Sequence, residues 1–314
     1  MDSLDKKTRI SGEAGCVKIG GKTRVVGLFG YPVEHTLSPD MHNALFRHLG
    51  MDYCYVAFSV RPDRLHDALK GITAFNLAGV NITVPHKESV IPFLDEISEE
   101  VSFIGAVNTI RNSEGRLIGY NTDGRGFMRS LAEAGIRVEG KSVLIVGTGG
   151  AARAVGYYLC KEASAVYLHN MKNPQKAETL REHLDNLKGN AFVAGVGAMT
   201  SREFLSRIDI VINATPLGLK PGDPSPVDVT LLTERHTVCD LIYHETPLLR
   251  AASSRGCTTL DGLGMLLWQG AFAFEIWTGV RPPVGVMREA IGRRQTDSPS
   301  PPLTLRGGNS DSSP

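Results

Sequence analysis

A glycine-rich hexapeptide, Gly147–Ala152, limits the possible folds of this chain more than any other segment. It directly follows the apolar run Val143–Val146 and opens the helical pattern Ala151–Lys161. The form is G-x-G-x-x-A: the first glycine permits a tight turn, the second lets a pyrophosphate approach the backbone, and the alanine lets helix and strand pack closely. The helix N-terminus adds free N–H groups and a positive dipole end. The segment therefore predicts a dinucleotide site, with a purely structural glycine turn as the alternative.

Strand-like and helix-like patterns alternate on both sides of this hexapeptide. In the first half they predict strands or hairpin arms at Val25–Phe29, Tyr53–Ser59, Leu77–Val84, Val107–Arg111 and Leu117–Asn121, and helices from an N-cap at Ser38 and over Pro62–Phe75. In the second half they predict strands at Ser142–Val146, Ala165–Asn170, Asp209–Ala214, Val238–Ile242 and Thr258–Leu260, a helix capped by Asn173, and a long apolar helix at Gly262–Gly279. Such alternation predicts an α/β fold with parallel sheets covered by helices on both sides.

Composition excludes several classes of protein. The chain has 314 residues, enough for about two domains, and 42% of them are hydrophobic, which excludes disorder throughout. A net charge of +1 gives no reason to expect binding to nucleic acid or to a membrane surface. The five scattered cysteines form no C-x-x-C pair and the N-terminus has no secretory pattern, so we expect a soluble, cytoplasmic protein. We expect residues 1–22 and the Pro/Ser-rich residues 294–314 to be disordered.

The residues after the next strand bear on which dinucleotide binds. A site for NAD usually has Asp or Glu there to hold the ribose 2′-hydroxyl, whereas this chain has Asn170-Met171-Lys172. No carboxylate would repel a 2′-phosphate, Lys172 and Lys176 are close in sequence, and Arg153 lies on the preceding helix. The pattern favours NADP; the alternative is that the lysines are ordinary surface residues.

Polar side chains collect where the first-half strands end, the position at which open α/β sheets bind ligands. The polar blocks are Gly30–Asn43, Asn81–Lys87, Gly105–Thr109 and Gly119–Gly124, and further blocks follow at Asn213–Gly218, Asp240–Tyr243 and Gly262–Gly270. With Gly147–Ala152, they closely resemble the shikimate dehydrogenase family over residues 24–290.

That resemblance implies a fold, an activity and partners. The fold would be a substrate-binding domain at residues 23–123, completed by residues 262–292, around a Rossmann-type dinucleotide-binding domain at residues 124–261. The activity would be reversible, NADP-dependent reduction of 3-dehydroshikimate to shikimate in aromatic amino acid biosynthesis. These small molecules would be the partners, and the assembly a monomer or a homodimer.

The resemblance also implies residue roles. Lys87 and Asp123 would be the catalytic pair, and both would also contact the substrate. Further substrate contacts would come from Thr36, Ser38 and Tyr243 at the carboxylate and from Thr83, Asn108 and Gln269 at the hydroxyls or ring. The implied cofactor-binding residues are Gly147, Thr148, Gly149, Gly150, Ala151, Ala152, Asn170, Met171, Lys172, Leu241 and Gly262. Two positions depart from the family, which more often has Ser at position 36 and Arg at position 171; without that arginine, a less strict preference for NADP is expected.

The chemistry of the pair agrees with this activity, and alternatives stay open. Reducing a ketone by hydride needs a proton donor at the developing alkoxide, and a lysine beside a carboxylate can serve there; the sequence does not decide which member of the pair moves the proton. Lys87 and Asp123 could instead be an ordinary surface ion pair. A quinate/shikimate dehydrogenase with relaxed cofactor use and a non-catalytic ligand-binding regulator are the other candidate functions. Three histidines, His35, His42 and His86, have no metal-site spacing, so no metal is expected.

Overall fold

The computed structural model describes residues 19–297, and over that range the chain forms two six-stranded sheets flanked by helices, which confirms the predicted α/β class. The first sheet has the order β2 (Tyr53–Ser59), β1 (Arg24–Gly30), β3 (Gly79–Ile82), β5 (Thr109–Ser113), β6 (Arg116–Tyr120) and β4 (Glu96–Ile97). The second has the order β12 (Thr258–Leu260), β11 (Thr237–Asp240), β10 (Ile210–Asn213), β7 (Ser142–Val146), β8 (Ala165–His169) and β9 (Ala191–Val193). The helices are α1 (Ser38–His48), α2 (Leu65–Ala74), α3 (Glu99–Ile104), α4 (Asp123–Glu133), α5 (Gly150–Glu162), α6 (Pro174–Lys188), α7 (Arg202–Leu205), α8 (Pro247–Ser254), α9 (Leu263–Thr278) and α10 (Val284–Asp297).

The second sheet is parallel throughout and has the strand order of a Rossmann fold. The connections turn back at its centre, where β7 pairs with β10 and Val146 lies opposite Asn213. Ligands of such sheets bind outside the carboxyl ends of the strands at this reversal point. The hexapeptide Gly147–Ala152 leaves β7 at that point.

The first sheet is mixed, which differs from the expected parallel sheet. Strands β1, β2 and β3 are parallel, but β5 runs antiparallel to both β3 and β6. The cause is a tight turn at Glu114 and Gly115, whose φ angles are +55° and +90°; so short a turn can only join antiparallel strands. The predicted hairpin is thereby confirmed.

The last helices return to the first sheet, as the long apolar pattern at Gly262–Gly279 led us to expect. Leu267 and Phe274 of α9 are buried in one core with Val26 of β1 and Leu45 of α1. The Trp277 indole N–H donates to a backbone carbonyl of β5 at 3.0 Å. Helix α4 packs against both α5 and α9, so it joins the two sheets. The proposed domain limits at 123/124 and 261/262 remain predictions.

Several local predictions need correction. Ser38 is the first residue of α1 and not its N-cap; Leu37 has that position, with no side-chain capping bond. Residues 294–297, expected in a disordered tail, continue α10, whereas residues 1–18 and 298–314 lie outside the described range. Strands β4 and β9 and helices α3 and α7 were not predicted, because segments of two to six residues are too short to show a period. The longer helices α4 and α8 were not predicted either.

Candidate active site

A buried ion pair joins the two predicted catalytic residues. The Lys87 ammonium lies 2.5 Å from Asp123 Oδ2, and their side chains are 16% and 5% exposed. Lys87 follows β3 by a short loop, and Asp123 is the first residue of α4. The main chain of each residue is held by a hydrogen bond. The Lys87 carbonyl accepts from Val107 N at 2.7 Å, and Asp123 N donates to the Asn121 side chain at 3.0 Å. The pair is therefore not an exposed surface ion pair, and its catalytic role remains a prediction.

Asn108 lies beside this pair and orients it. Its amide nitrogen donates to Asp123 Oδ1 at 2.8 Å and to the Thr122 hydroxyl at 2.9 Å. The same nitrogen is 3.5 Å from Gln269 Oε1 on α9, so the C-terminal helix reaches the site. Because Asp123 uses one oxygen for Lys87 and the other for Asn108, its position is determined from both sides.

Thr36 and Ser38 lie together at the start of α1. The Thr36 hydroxyl donates to Ser38 Oγ at 3.2 Å and accepts from Ser38 N at 3.3 Å. Ser38 is 5% exposed, and the phenol of Tyr55 on β2 is also buried. Burial raises the pKa of Tyr55, so this phenol stays neutral and donates its proton to Asn81 Oδ1 at 2.8 Å.

Thr83 and Tyr243 follow strands of different sheets. Thr83 lies beside the end of β1, where its backbone N–H donates to the Phe29 carbonyl at 2.9 Å. Tyr243 follows β11 and is 37% exposed, and burial of part of its ring raises the pKa of its phenol. No hydrogen bond in the described part of the chain joins Tyr243 to the other site residues, so its predicted carboxylate contact remains a prediction.

The hexapeptide has the geometry that a dinucleotide requires. Gly147 has φ +116°, and a Cβ there would lie 2.5 Å from the Ala214 carbonyl oxygen. A Cβ on Gly149 would meet nothing within 4 Å, so the space outside this residue is open. Gly149 is the N-cap of α5, which leaves the first-turn N–H groups directed outward. The loop therefore fits a pyrophosphate, as predicted.

Gly150 brings the cofactor loop against the catalytic lysine. A Cβ at this position would lie 3.1 Å from Lys87 Cβ and 3.2 Å from Lys87 Cδ. The lysine stem therefore packs on the loop that is expected to hold the cofactor. Gly262 is another predicted cofactor residue. A Cβ at this position would lie 2.3 Å from the Leu241 carbonyl oxygen, so only glycine allows this close approach.

The segment after β8 is exposed and basic. Asn170 anchors it, since its side chain donates to the Thr148 hydroxyl at 2.7 Å and accepts from Lys172 N at 3.1 Å. Met171, Lys172 and Lys176 are exposed, with Met171 at 61%. Arg153 differs from our expectation: its guanidinium faces Glu88 beside Lys87, with Nε 3.6 Å from Glu88 Oε2. The lysines, and not Arg153, are the cations available at this edge.

Residues 19–297 contain neither a metal-binding cluster nor a membrane-spanning helix. Within this range, no three His, Cys, Asp or Glu side chains are grouped so that they could hold a metal ion. None of its helices is both long and apolar enough to cross a bilayer.

Sequence reasoning missed several residues that complete the site. Asn121 and Thr122 hold Asp123 and Asn108, and Asn81 links the Tyr55 phenol, at 2.8 Å, to the Asn108 carbonyl, at 3.1 Å. These residues lie in the blocks Asn81–Lys87 and Gly119–Gly124, which the sequence analysis singled out. A polar side chain at the end of a buried strand could have indicated them in the sequence, because a buried polar side chain needs a hydrogen-bond partner.

Comparison with known proteins agrees with this geometry. The model of the shikimate dehydrogenase substrate binding domain matches residues 28–110, and that of the shikimate 5'-dehydrogenase C-terminal domain matches residues 262–291. The shikimate dehydrogenase (NADP(+)) of Desulforamulus reducens is 48% identical, covering 89% of this chain and 98% of that protein. A crystal structure of a shikimate dehydrogenase in complex with NADP+ has a TM-score of 0.81 at 43% identity, covering 88% and 97% of the two chains. The shikimate 5-dehydrogenase of Thermus thermophilus in complex with NADP(H) and shikimate has a TM-score of 0.77 at 37% identity, covering 86% and 99%.

Proposed function

The chain belongs to the shikimate dehydrogenase family, and from that premise we propose that Lys87 and Asp123 catalyse its reaction. The reaction is the reversible, NADP-dependent reduction of 3-dehydroshikimate to shikimate, an oxidoreduction of a CH–OH group. One observation carries the assignment of the pair: the 2.5 Å Lys87–Asp123 contact lies against Gly150 of the dinucleotide loop. A proton-transfer pair is thus adjacent to the cofactor site.

The pair acts on the proton that accompanies hydride transfer. NADPH, held at Gly147–Ala152, would supply the hydride. The substrate carbonyl gains negative charge as it is reduced, and Lys87 stabilises that oxygen and protonates it. Asp123 holds the ammonium in place, and Asn108 holds Asp123 through its other oxygen. In the reverse direction the same pair accepts the proton of the shikimate hydroxyl, so we assign the two residues as a unit.

The remaining polar groups orient the substrate. Thr36 and Ser38 present adjacent hydroxyls, and we propose that they donate to the substrate carboxylate, with Tyr243 as a further contact. Thr83, Asn108 and Gln269 would bind the ring hydroxyls. The link from Tyr55 through Asn81 to Asn108 supports the role of Asn108, because it holds this residue in place from the neighbouring strands.

The exposed, basic segment after β8 supports a moderate preference for NADP over NAD. Met171 occupies the position at which the family usually has Arg, and the exposed Lys172 and Lys176 remain as cations for a 2′-phosphate. A lysine attracts phosphate as a point charge, whereas an arginine grips it with a planar fork. We propose that the protein is cytoplasmic and works as a monomer or homodimer; free thiols at Cys54, Cys160, Cys239 and Cys257 support a reducing compartment.

Steady-state kinetics with shikimate and NADP+ test the proposal. The wild-type protein should oxidise shikimate, and Lys87→Ala should lower kcat by on the order of 10²–10⁴-fold while the Kd for NADP+ stays unchanged. Lys141→Ala is the matched control, because it removes a lysine paired with Asp209 at 3.6 Å far from the site. An unchanged kcat in Lys87→Ala would remove Lys87 from the mechanism. A wild-type protein that binds the ligands without turnover would favour the non-catalytic regulator.

A further inference from the structure

An ion pair outside the predicted site connects the catalytic segment with the cofactor-binding helix. Glu88 Oε2 lies 3.6 Å from Arg153 Nε, and the side chains are 52% and 19% exposed. Glu88 directly follows Lys87, and Arg153 lies in the first turn of α5, where its N–H donates to Gly149 O at 3.0 Å. The pair therefore connects the neighbours of the two functional groups that must meet in the reaction.

The Arg153 guanidinium is enclosed and incompletely bonded. Its Nε is buried and has no hydrogen-bond partner among residues 19–297, since Glu88 is just beyond hydrogen-bond distance. Its Nη1 packs against Gly105: a Cβ built on that glycine would lie 3.5 Å from Arg153 Nη1. A buried guanidinium nitrogen has a high cost when it is left unpaired, so Glu88 is held towards it.

Besides the ion pair of Lys87 with Asp123, three contacts hold the Lys87 segment against its surroundings. Lys87 O accepts from Val107 N, the Lys87 stem packs on Gly150, and Glu88 is attracted to Arg153. The first contact lies within the first sheet and its loops, whereas the other two connect it to the dinucleotide loop and α5. Of those two, only the ion pair is directional and attractive over distance; the Gly150 contact is van der Waals packing.

We infer that Glu88 and Arg153 are positioning residues, which hold Lys87 in register with the cofactor loop. The inference rests on the proposed function, because register matters only if Lys87 serves the hydride-transfer step. Reacting groups misplaced by about 1 Å can lose rate by about 10²-fold, so a weak pair at this place has a kinetic effect larger than its effect on stability. Neither residue touches the substrate in this assignment; both act through Lys87.

The test is a double-mutant cycle on the full-length protein. Glu88→Gln and Arg153→Gln keep the size of each side chain and remove its charge. Each single variant should lower kcat by about tenfold and leave KM for shikimate and for NADP+ nearly unchanged. The double variant should be no slower than either single one, because residues that act as one unit do not add. With substrate deuterated at the reacting carbon, the isotope effect on kcat should rise in all three variants.

The matched control is Glu96→Gln, which breaks the exposed Arg116–Glu96 pair at 3.2 Å on the first sheet and should leave kcat unchanged. Losses of kcat that multiply in the double variant would overturn the inference. So would a lower melting temperature with unchanged kcat, which indicates a structural pair only. A KM increase for NADP+ but not for NAD+ in Arg153→Gln alone would overturn it too, since Arg153 would then read the phosphate. Failure of the proposed function is recognised separately, as a wild-type protein without turnover.

Discussion

Ser38 shows how one hydroxyl can have two uses that sequence does not separate. A serine before proline at the start of an apolar helical pattern is a good N-cap. In the structure the helix begins one residue earlier than that reading requires, so Ser38 is inside the first turn and its hydroxyl makes no cap bond. It accepts instead from the Thr36 hydroxyl at 3.2 Å, in the pair of hydroxyls that we propose binds the substrate carboxylate.

We expect Thr36→Ala combined with Ser38→Ala to raise KM for shikimate and leave KM for NADP+ unchanged. Hydroxyl donors to a carboxylate contribute roughly 1.5–3 kcal/mol each when desolvated, so the double variant should lose affinity by at least about 10²-fold. Steady-state kinetics measure both constants, and thermal unfolding is the control. Loss of melting temperature with an unchanged KM for shikimate would contradict the substrate role.

At the scale of elements, two glycines of the β7–α5 loop have different roles, one in the fold and one in cofactor binding. Gly147 has a left-handed φ and abuts the Ala214 carbonyl, whereas Gly149 has open space where a Cβ would point. Gly147→Ala should therefore destabilise the fold by about 1–3 kcal/mol, through backbone strain and the clash. Gly149→Ala should keep the free energy of unfolding and weaken NADP+ binding, because the methyl group occupies the approach of the pyrophosphate. Urea unfolding and a cofactor titration on both variants measure the two effects; equal stability losses would contradict the separation.

The β8–α6 segment should set how strongly NADP is preferred. Met171→Arg should increase the ratio of kcat/KM for NADP+ over NAD+, since a guanidinium binds the 2′-phosphate with two parallel hydrogen bonds. In the wild-type protein the ratio should fall as salt rises, because exposed lysines are screened. The measurement is both kcat/KM values at low and high ionic strength. A wild-type preference for NAD+ at low salt would show that Lys172 and Lys176 do not read the phosphate.

At the scale of the whole molecule, His42 is a pH-sensitive point where α1, the first sheet and α9 meet. It is fully buried, stacks on Tyr55 with ring centroids 4.5 Å apart, and has no hydrogen-bond partner for either nitrogen among the described residues. Burial lowers its pKa from 6.5 to about 3. A base with a lowered folded-state pKa stabilises the fold above its unfolded pKa, and this contribution is lost as pH falls below about 6.5.

We expect the free energy of unfolding of His42→Phe to fall less steeply than that of the wild type as the pH is lowered from 7 to 5. Between pH 7 and pH 5 the wild-type protein should lose about 2 kcal/mol more than the variant, because only the wild-type unfolded state gains a proton at this residue. At pH 7 the variant should retain stability, since phenylalanine keeps the stacked ring and loses no hydrogen bond. Urea unfolding at both pH values measures this. His66→Phe, at an exposed histidine against Phe93, should leave the profile unchanged; equal slopes for His42→Phe and wild type would contradict the prediction.

The sequence predicted the features that depend on consecutive residues better than the contacts between residues far apart in the chain. The strand at 142–146, the loop at 147–152 and the Asn173 cap of α6 were predictable because each depends on consecutive residues. The return of α9 was predictable from an apolar run with few polar residues. The Arg153–Glu88 pair was not, because its partners are 65 positions apart (153 − 88) and nothing in either neighbourhood indicates the other. The position of Arg153 on the helix before the basic segment likewise gave no indication that its side chain faces Glu88.

The position of the last two helices has a consequence for how the chain is made. Met287 and Ile291 of α10 are buried in the same core as Val26 and Met41. A ribosome synthesises the whole second sheet, up to Leu260, before α9 and α10 emerge. The sheet that is made first therefore completes its core last, and the nascent chain carries the exposed apolar faces of β1 and α1 through nearly all of translation. A transcript truncated after Leu260 would encode a complete set of Rossmann strands together with a first sheet that stays open to chaperones and proteases.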